Sequence, residues 1–506
     1  MGMKKIILLC ILAVGMIACT EKNTPDTPGS GGTDSTTVSP GDTTITTTDT
    51  IRITWSSAAA VIEGTHENVA VSESNGYVTV NSTVKDITYI LSGEGQGQLT
   101  IYGTNRHQLI LSNLTLTCND GPAINNQCKK SCFVVLEGTN SLTDGSSYAS
   151  SDEDRKAAFF SEGQMIFSGS GSLTVKGNYK HALASDDYIQ FAESTGSLTL
   201  TATNDGIHAN DGVFFDGGTF TINAGNDGVQ CDSIIVVNNG ALSITATDKG
   251  IVDSLGIIIN GGTIRISSKY KCIKTKADLS INGGDIEAVC TGTASYSSSP
   301  EGIEAKGTIT INGGAVYVQS ADDAINSGGE LVINDGYVCA YSTGNDGIDA
   351  NGNCNIKGGL VYAIGANNPE VGVDANTEKG YKLYVQGGTI VAIGGLERGS
   401  SLTQSCYSTS SWSKSTWYAL TVGGDVFAFK TPSSGGSTLV VSGASQPTLT
   451  KSVTASGTAI FKGMGYYPAS YTGGSSVSLS SYSGSSSGGG PGGGGGPGGG
   501  GGPGGW

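Results

Sequence analysis

The feature that most limits how this chain can fold is an internal repeat of about 22 residues. An Asp-Gly-Ile-like phrase recurs at Asn204-Asp205-Gly206-Ile207, Asn226-Asp227-Gly228-Val229, Asp248-Lys249-Gly250-Ile251, Tyr270-Lys271-Cys272-Ile273, Pro300-Glu301-Gly302-Ile303, Asp322-Asp323-Ala324-Ile325, Asn345-Asp346-Gly347-Ile348 and Glu370-Val371-Gly372-Val373. Its second position advances in steps of 22, 22, 22, 30, 22, 23 and 25 residues. A Gly-Gly-x-apolar phrase keeps the same period at Gly217-Gly218, Gly261-Gly262, Gly283-Gly284, Gly313-Gly314, Gly358-Gly359 and Gly387-Gly388. Short alternating strands between Gly/Asn turns at this period predict an all-β, right-handed parallel β-helix. Each coil supplies about three strands, and coils stack at about 4.8 Å.

Composition agrees. Eighty glycines in 506 residues exclude a helical bundle, and the absence of a three-residue Gly period excludes collagen. A net charge of −16 argues against nucleic acid as a partner.

The organisation reads in five parts. Residues 1–19 form a bacterial lipoprotein signal: Lys4 and Lys5, an apolar run from Ile6 to Ala18, then Cys19 as the lipidated N-terminus. This places the protein at the outer membrane and cell surface, held to the membrane through its lipid only. Residues 20–50 are a Thr/Ser/Pro tether and 51–395 the solenoid. Residues 396–475 form a C-terminal β cap, and 476–506 a Gly/Pro-rich tail. Plugs are needed because open coils expose strand edges. Nine cysteines remain after Cys10 and Cys19, and export permits disulfides. Cys118, Cys128 and Cys132 are close enough in sequence for one local bridge, and the odd number leaves at least one thiol unpaired. The four histidines are scattered, and no structural zinc site is expected.

Strand alternation assigns the faces. An inward column runs Ala209, Cys231, Asp253, Thr275, Ala305, Ser327, Ala350, Ala375, in which Asp253 is anomalous. One outward column runs His208, Gln230, Val252, Lys274, Glu304, Asn326, Asp349, Asp374. A second runs Thr221, Ser243, Arg265, Glu287, Tyr317, Cys339, Tyr362, Val391. The turn column places like charges one coil apart, where two carboxylates about 5 Å apart repel by roughly 1 kcal/mol in water. Ca²⁺ relieves such a stack, since it takes six to eight oxygen ligands. The candidate ligands are Asp323, Asp346, Asp349 and Asp374 in one place, and Asp205, Asp227, Asn204 and Asn226 in another. Asp before Gly also serves simply to build a turn.

Lys249, Lys271, Lys274 and Lys276 form a basic block between the acids, suited to sugar carboxylates. Tyr317 and Tyr362, two coils apart on the second outward column, and Trp412 and Trp417 are candidate sugar-stacking aromatics.

The lipoprotein start, coils such as Ala202-Thr203-Asn204-Asp205-Gly206-Ile207, the Gly-Gly-Thr-Ile phrases and the Gly/Pro tail resemble a bacterial carbohydrate-binding family with a pectate-lyase-like parallel β-helix. The resemblance spans roughly residues 51–475. It implies Ca²⁺ and polysaccharide binding, with cellulose and pectic polymers as the associated class. Asp205, Asp227, Asp323 and Asp346 match its acidic turn position, whereas Lys249, Lys271 and Val371 depart from it. The expected function is non-catalytic binding of an acidic or plant cell-wall polysaccharide with Ca²⁺. One alternative is a Ca²⁺-dependent pectate-type lyase with Lys271 or Lys274 as base beside Glu301 or Glu304. Another is an adhesin or structural surface protein.

Overall fold

The computed structural model describes residues 43–484 except 48 and 296. The leader, Cys19, most of the tether and the end of the tail lie outside these residues.

The chain is a parallel β-helix. One coil consists of Ile207–Ala209, Gly212–Phe215 and Thr219–Ala224; the next consists of Val229–Cys231, Ile234–Val237 and Ala241–Ala246. Equivalent strands of successive coils pair in parallel on three faces, called here faces 1, 2 and 3 in that order. The expected columns hold residue for residue. On face 1, His208 pairs with Gln230, Val252 with Lys274, Lys274 with Glu304, Glu304 with Asn326 and Asn326 with Asp349. On face 3, Thr221 pairs with Ser243, Arg265 with Glu287, Tyr317 with Cys339 and Tyr362 with Val391.

The core is a stack of aliphatic rows inside the coil, such as Ile207, Val229, Ile251, Ile273, Ile303, Ile325 and Ile348, all fully buried. Near the N-terminal half Phe167, Phe191 and Phe215 stack at 5.1 and 5.2 Å between ring centres. Both Gly-Gly residues are dictated by the turn into face 3. Gly262 has φ +88°, which side chains resist, and a Cβ on Gly261 would sit 2.8 Å from the Asn238 carbonyl one coil below. The preceding asparagines form a ladder across coils: Asn260 donates to Asn238, Asn282 to Asn260, Asn312 to Asn282 and Asn334 to Asn312, at 2.7–2.8 Å.

The N-terminal end is closed by hairpins. Thr50–Ser57 pairs with Ala59–Glu63, and Val69–Ser74 with Tyr77–Ser82, both antiparallel. At the other end Leu439–Ser442 runs antiparallel to the last face 3 strand, Thr389–Ile393.

Four expectations need correction. The segment after 395 does more than plug the end. Trp417–Val422, Asp425–Lys430, Thr448–Lys451, Thr454–Ile460, Gly465–Thr472 and Ser475–Val477 form a six-stranded antiparallel lobe that packs against the outward side of face 3. Tyr317 and Tyr362 are therefore not sugar platforms on an open surface. They are 6% and 0% exposed, packed with Cys339 and Val391 against Tyr418, Leu420, Phe427 and Phe429 of the lobe. The outward column turns apolar from Tyr317 onward because it is an internal interface. Third, the fold runs past 475, since Ser480–Tyr482 pairs with Cys406–Thr409. Fourth, no local bridge forms: Cys118, Cys128, Cys132 and the six cysteines from Cys231 to Cys406 are all buried free thiols. Cys231, at 1% exposure, fills its inward position by packing.

Candidate functional site

Face 1 and the turn leading into it carry most of the charged groups that burial perturbs. The turn is tight for a physical reason: a Cβ on Gly206 would meet the Ile222 side chain at 2.3 Å. The aspartate before this glycine bonds the next coil. Asp205 Oδ1 accepts from the Asp227 amide at 3.1 Å, Asp227 from the Lys249 amide at 2.9 Å, Asp323 from the Asp346 amide at 3.0 Å and Asp346 from the Val371 amide at 2.5 Å. The turn role is thus real, but its partner is the neighbouring coil. One oxygen of each carboxylate is spent on stacking, and the other meets whatever side chain lies beside it.

What that second oxygen meets changes along the column. At Asp205 it meets imidazole: Oδ2 lies 3.1 Å from His181 Nδ1 and 3.2 Å from His208 Nδ1, while Asn226 donates to Oδ1 at 2.9 Å. His181 comes from the coil before, in the strand His181–Ser185. Asp227 faces Lys249 at 3.5 Å. Burial pushes its carboxyl up to about 6, against the pull of Lys249.

In the middle the acids and bases neutralise each other. Lys271, at 2% exposure, reaches Glu301 at 2.5 Å and Glu304 at 3.1 Å and donates to the Ser299 carbonyl at 3.0 Å. Lys274 lies 3.5 Å from Glu304, which also pairs with Lys306. Burial alone would raise the Glu304 carboxyl; Lys271, Lys306 and Lys274 hold it down at about 2. Burial works to lower Lys271 as well, but its two glutamates win and its proton affinity rises. That is the wrong direction for a general base. Lys274 shifts the other way, lowered by burial and by its lysine neighbours despite Glu304.

Beyond Asn326 no cation follows. Asp323, Asp346, Asp349 and Asp374 form no ion pair among the described residues. Asp323 and Asp346 are buried, and Asp349 and Asp374 are partly exposed. Burial lifts all four carboxyls, Asp346 to about 8, and the neighbouring acids Asp322, Glu370 and Glu397 lift them further. Asn326 closes the boundary, donating to Glu301 at 3.0 Å and Asp323 at 3.4 Å. The six acids singled out from the sequence therefore fall into two places, as spaced. At the acid end the carboxyls crowd one another, and their proton affinity is raised. The Asp205 end offers nitrogen as well as oxygen.

The aromatic candidates on the lobe differ from the buried tyrosines. Trp412 packs on the interface and donates Nε1 to the Gly436 carbonyl at 2.9 Å. Trp417 is partly exposed and stacks on Tyr466 at 5.0 Å between ring centres. Where the lobe meets face 3, a cleft of about 380 Å³ is lined by Thr389, Asp425, Ser445 and Tyr467.

Sequence reasoning missed the meeting of His181 with Asp205, because the coils before residue 200 are looser and lack the repeat phrase. It also missed the asparagine ladder, although Asn-Gly-Gly stands at 260, 282 and 312.

A parallel β-helix with a charged outward row and a lateral β lobe is the class the fold and the site define. The model of the carbohydrate-binding domain-containing protein family matches residues 74–347, more than half of the chain, and the protein belongs to that family. Among solved structures it is similar to that of the polysaccharide lyase-like protein from C. thermocellum, gadolinium derivative. The identity is 21% and the TM-score 0.37, over 53% of this chain and 93% of that one. A comparison with curated proteins gave no match.

Proposed function

We propose that the protein binds polysaccharide without transforming it, and that Ca²⁺ at the acid end of face 1 assists. The observation that carries this reading is the run Asp323, Asp346, Asp349, Asp374, where acidic side chains stack coil over coil and form no ion pair among the described residues. Ca²⁺ held there supplies positive charge to carboxylates of both protein and glycan. Family membership supports the glycan as partner. Coil spacing close to the length of one sugar residue suits a polymer lying along the face, and the basic block at Lys274 and Lys276 suits its carboxylates. Trp417 on Tyr466 offers a separate stacking surface. We place the protein at the outer membrane surface, anchored by lipid on Cys19.

Pull-down on pectic acid polymer, with and without chelator, tests the reading. Binding that disappears with chelator and returns with Ca²⁺ is expected. Binding indifferent to chelator overturns the Ca²⁺ part, and no binding to any acidic or neutral glycan overturns the whole.

The lyase alternative rests on Lys274, whose lowered proton affinity suits a base. It requires release of unsaturated sugars that Lys274→Ala abolishes.

A further inference from the structure

Two histidines and one aspartate from adjacent coils converge at the N-terminal end of face 1, and the Ca²⁺ reading does not use them. Their ligand atoms all lie within 4.8 Å of one another, the single such grouping of three His, Cys, Asp or Glu residues among the described residues. The carboxylate is fixed. Asn226 and the Asp227 amide hold Oδ1, which leaves Oδ2 facing the two Nδ1 atoms. The separations of 3.1 and 3.2 Å are close to the edge of a tetrahedral site, about 3.3 Å for bonds of about 2.0 Å. The rings sit 4.3 Å apart, tilted by 32°, so both can face one point.

A second observation separates this from an ordinary His–Asp hydrogen bond. His181 is 4% exposed, and its Nδ1, 3.1 Å from Asp205 Oδ2, has no hydrogen-bond partner among the described residues. A buried polar atom without a partner is destabilising unless something else satisfies it. The nearby Lys156 does not compete, since Asp186 and Asp154 take up its charge.

We propose that His181, Asp205 and His208 form a binding site for a divalent first-row transition-metal ion. Two imidazoles and one carboxylate suit zinc, iron or cobalt and do not suit Ca²⁺, which takes oxygen. Three protein ligands leave a position open, reached past His208, whose side chain is 19% exposed.

The test uses Co²⁺ as probe on the full chain after chelation. One equivalent is expected to give a visible d–d absorption of tetrahedral or five-coordinate type, without a thiolate charge-transfer band. Millimolar Ca²⁺ should leave it unchanged. His208→Ala, at a partly exposed site, should weaken Co²⁺ binding at least tenfold while circular dichroism stays the same. His181→Gln should do likewise, and Zn²⁺ should displace Co²⁺. Absence of a saturable band, a thiolate band in its place, or equal affinity in His208→Ala overturns the proposal. Because Ca²⁺-dependent glycan binding is read separately, its failure leaves this result standing, and the reverse holds too.

Discussion

The middle and the C-terminal end of one column occupy the same scaffold position and solve the same electrostatic problem differently. At Lys271, Lys274, Glu301 and Glu304 the chain supplies both signs of charge and closes the site on itself. At Asp323, Asp346, Asp349 and Asp374 it supplies one sign only. A folded chain tolerates buried like charges by protonating them or by binding a cation. The middle is therefore self-compensated, and the end is where the proposed Ca²⁺ would act.

Breaking the middle should have the largest effect. Lys271→Met leaves two buried carboxylates without their partner, and a loss of about 3–5 kcal/mol in denaturant unfolding is expected. A change under 1 kcal/mol would mean the pair is not compensating as described.

The acid end should respond in two opposite ways. Asp374→Asn replaces a carboxyl that burial and its acidic neighbours already push toward the neutral form, so without divalent ions its melting temperature should equal or exceed that of the wild type. With Ca²⁺ at about 100 times its dissociation constant, the wild type should gain about 2.7 kcal/mol and the variant far less. Calorimetric scans with chelator and with Ca²⁺ check both signs.

The inner side of the same strands offers a sharper case. Asp253 is 1% exposed, accepts from the Ile235 and Gly256 amides at 3.3 and 3.2 Å, and forms no ion pair among the described residues. Burial raises its carboxyl to about 7. The folded state thus holds a proton that the unfolded state releases near pH 4, so stability falls as pH rises from about 4 to 7 and then levels off. Asp253→Asn should remove that slope and add about 1–3 kcal/mol at pH 8. Urea midpoints at pH 5 and pH 8 read this directly.

The smallest effect belongs to the surface of face 3. Arg265 pairs with Asp285, and the two side chains are 38% and 57% exposed. Arg265→Ala should cost under about 1 kcal/mol, screened further by salt.

Much of this was legible in the sequence because a fixed repeat converts position into register. The pairing of Lys274 with Glu304 and of Asn326 with Asp349 follows from counting, as does the small inward row. What counting did not give was what lies against each face. The outward run Tyr317, Cys339, Tyr362, Val391 carried the signal of a covered surface, since cysteine and valine there have no sugar to meet, but the lobe that covers it follows no repeat. His181 stayed hidden because its coil lacks the Asp-Gly phrase that would have aligned it with Asp205. Asp253 looked anomalous in sequence and remains so in place, a buried carboxyl in a row of small side chains.

The most direct measurement is Ca²⁺ titration calorimetry on the full chain and on Asp349→Asn/Asp374→Asn. Saturable Ca²⁺ binding by the wild type, weakened at least tenfold in the double variant while Lys274→Ala retains it, is the expected result. Equal Ca²⁺ affinity in wild type and double variant, or no binding by the wild type, would contradict the assignment of the acid end as the place where an external cation completes the fold.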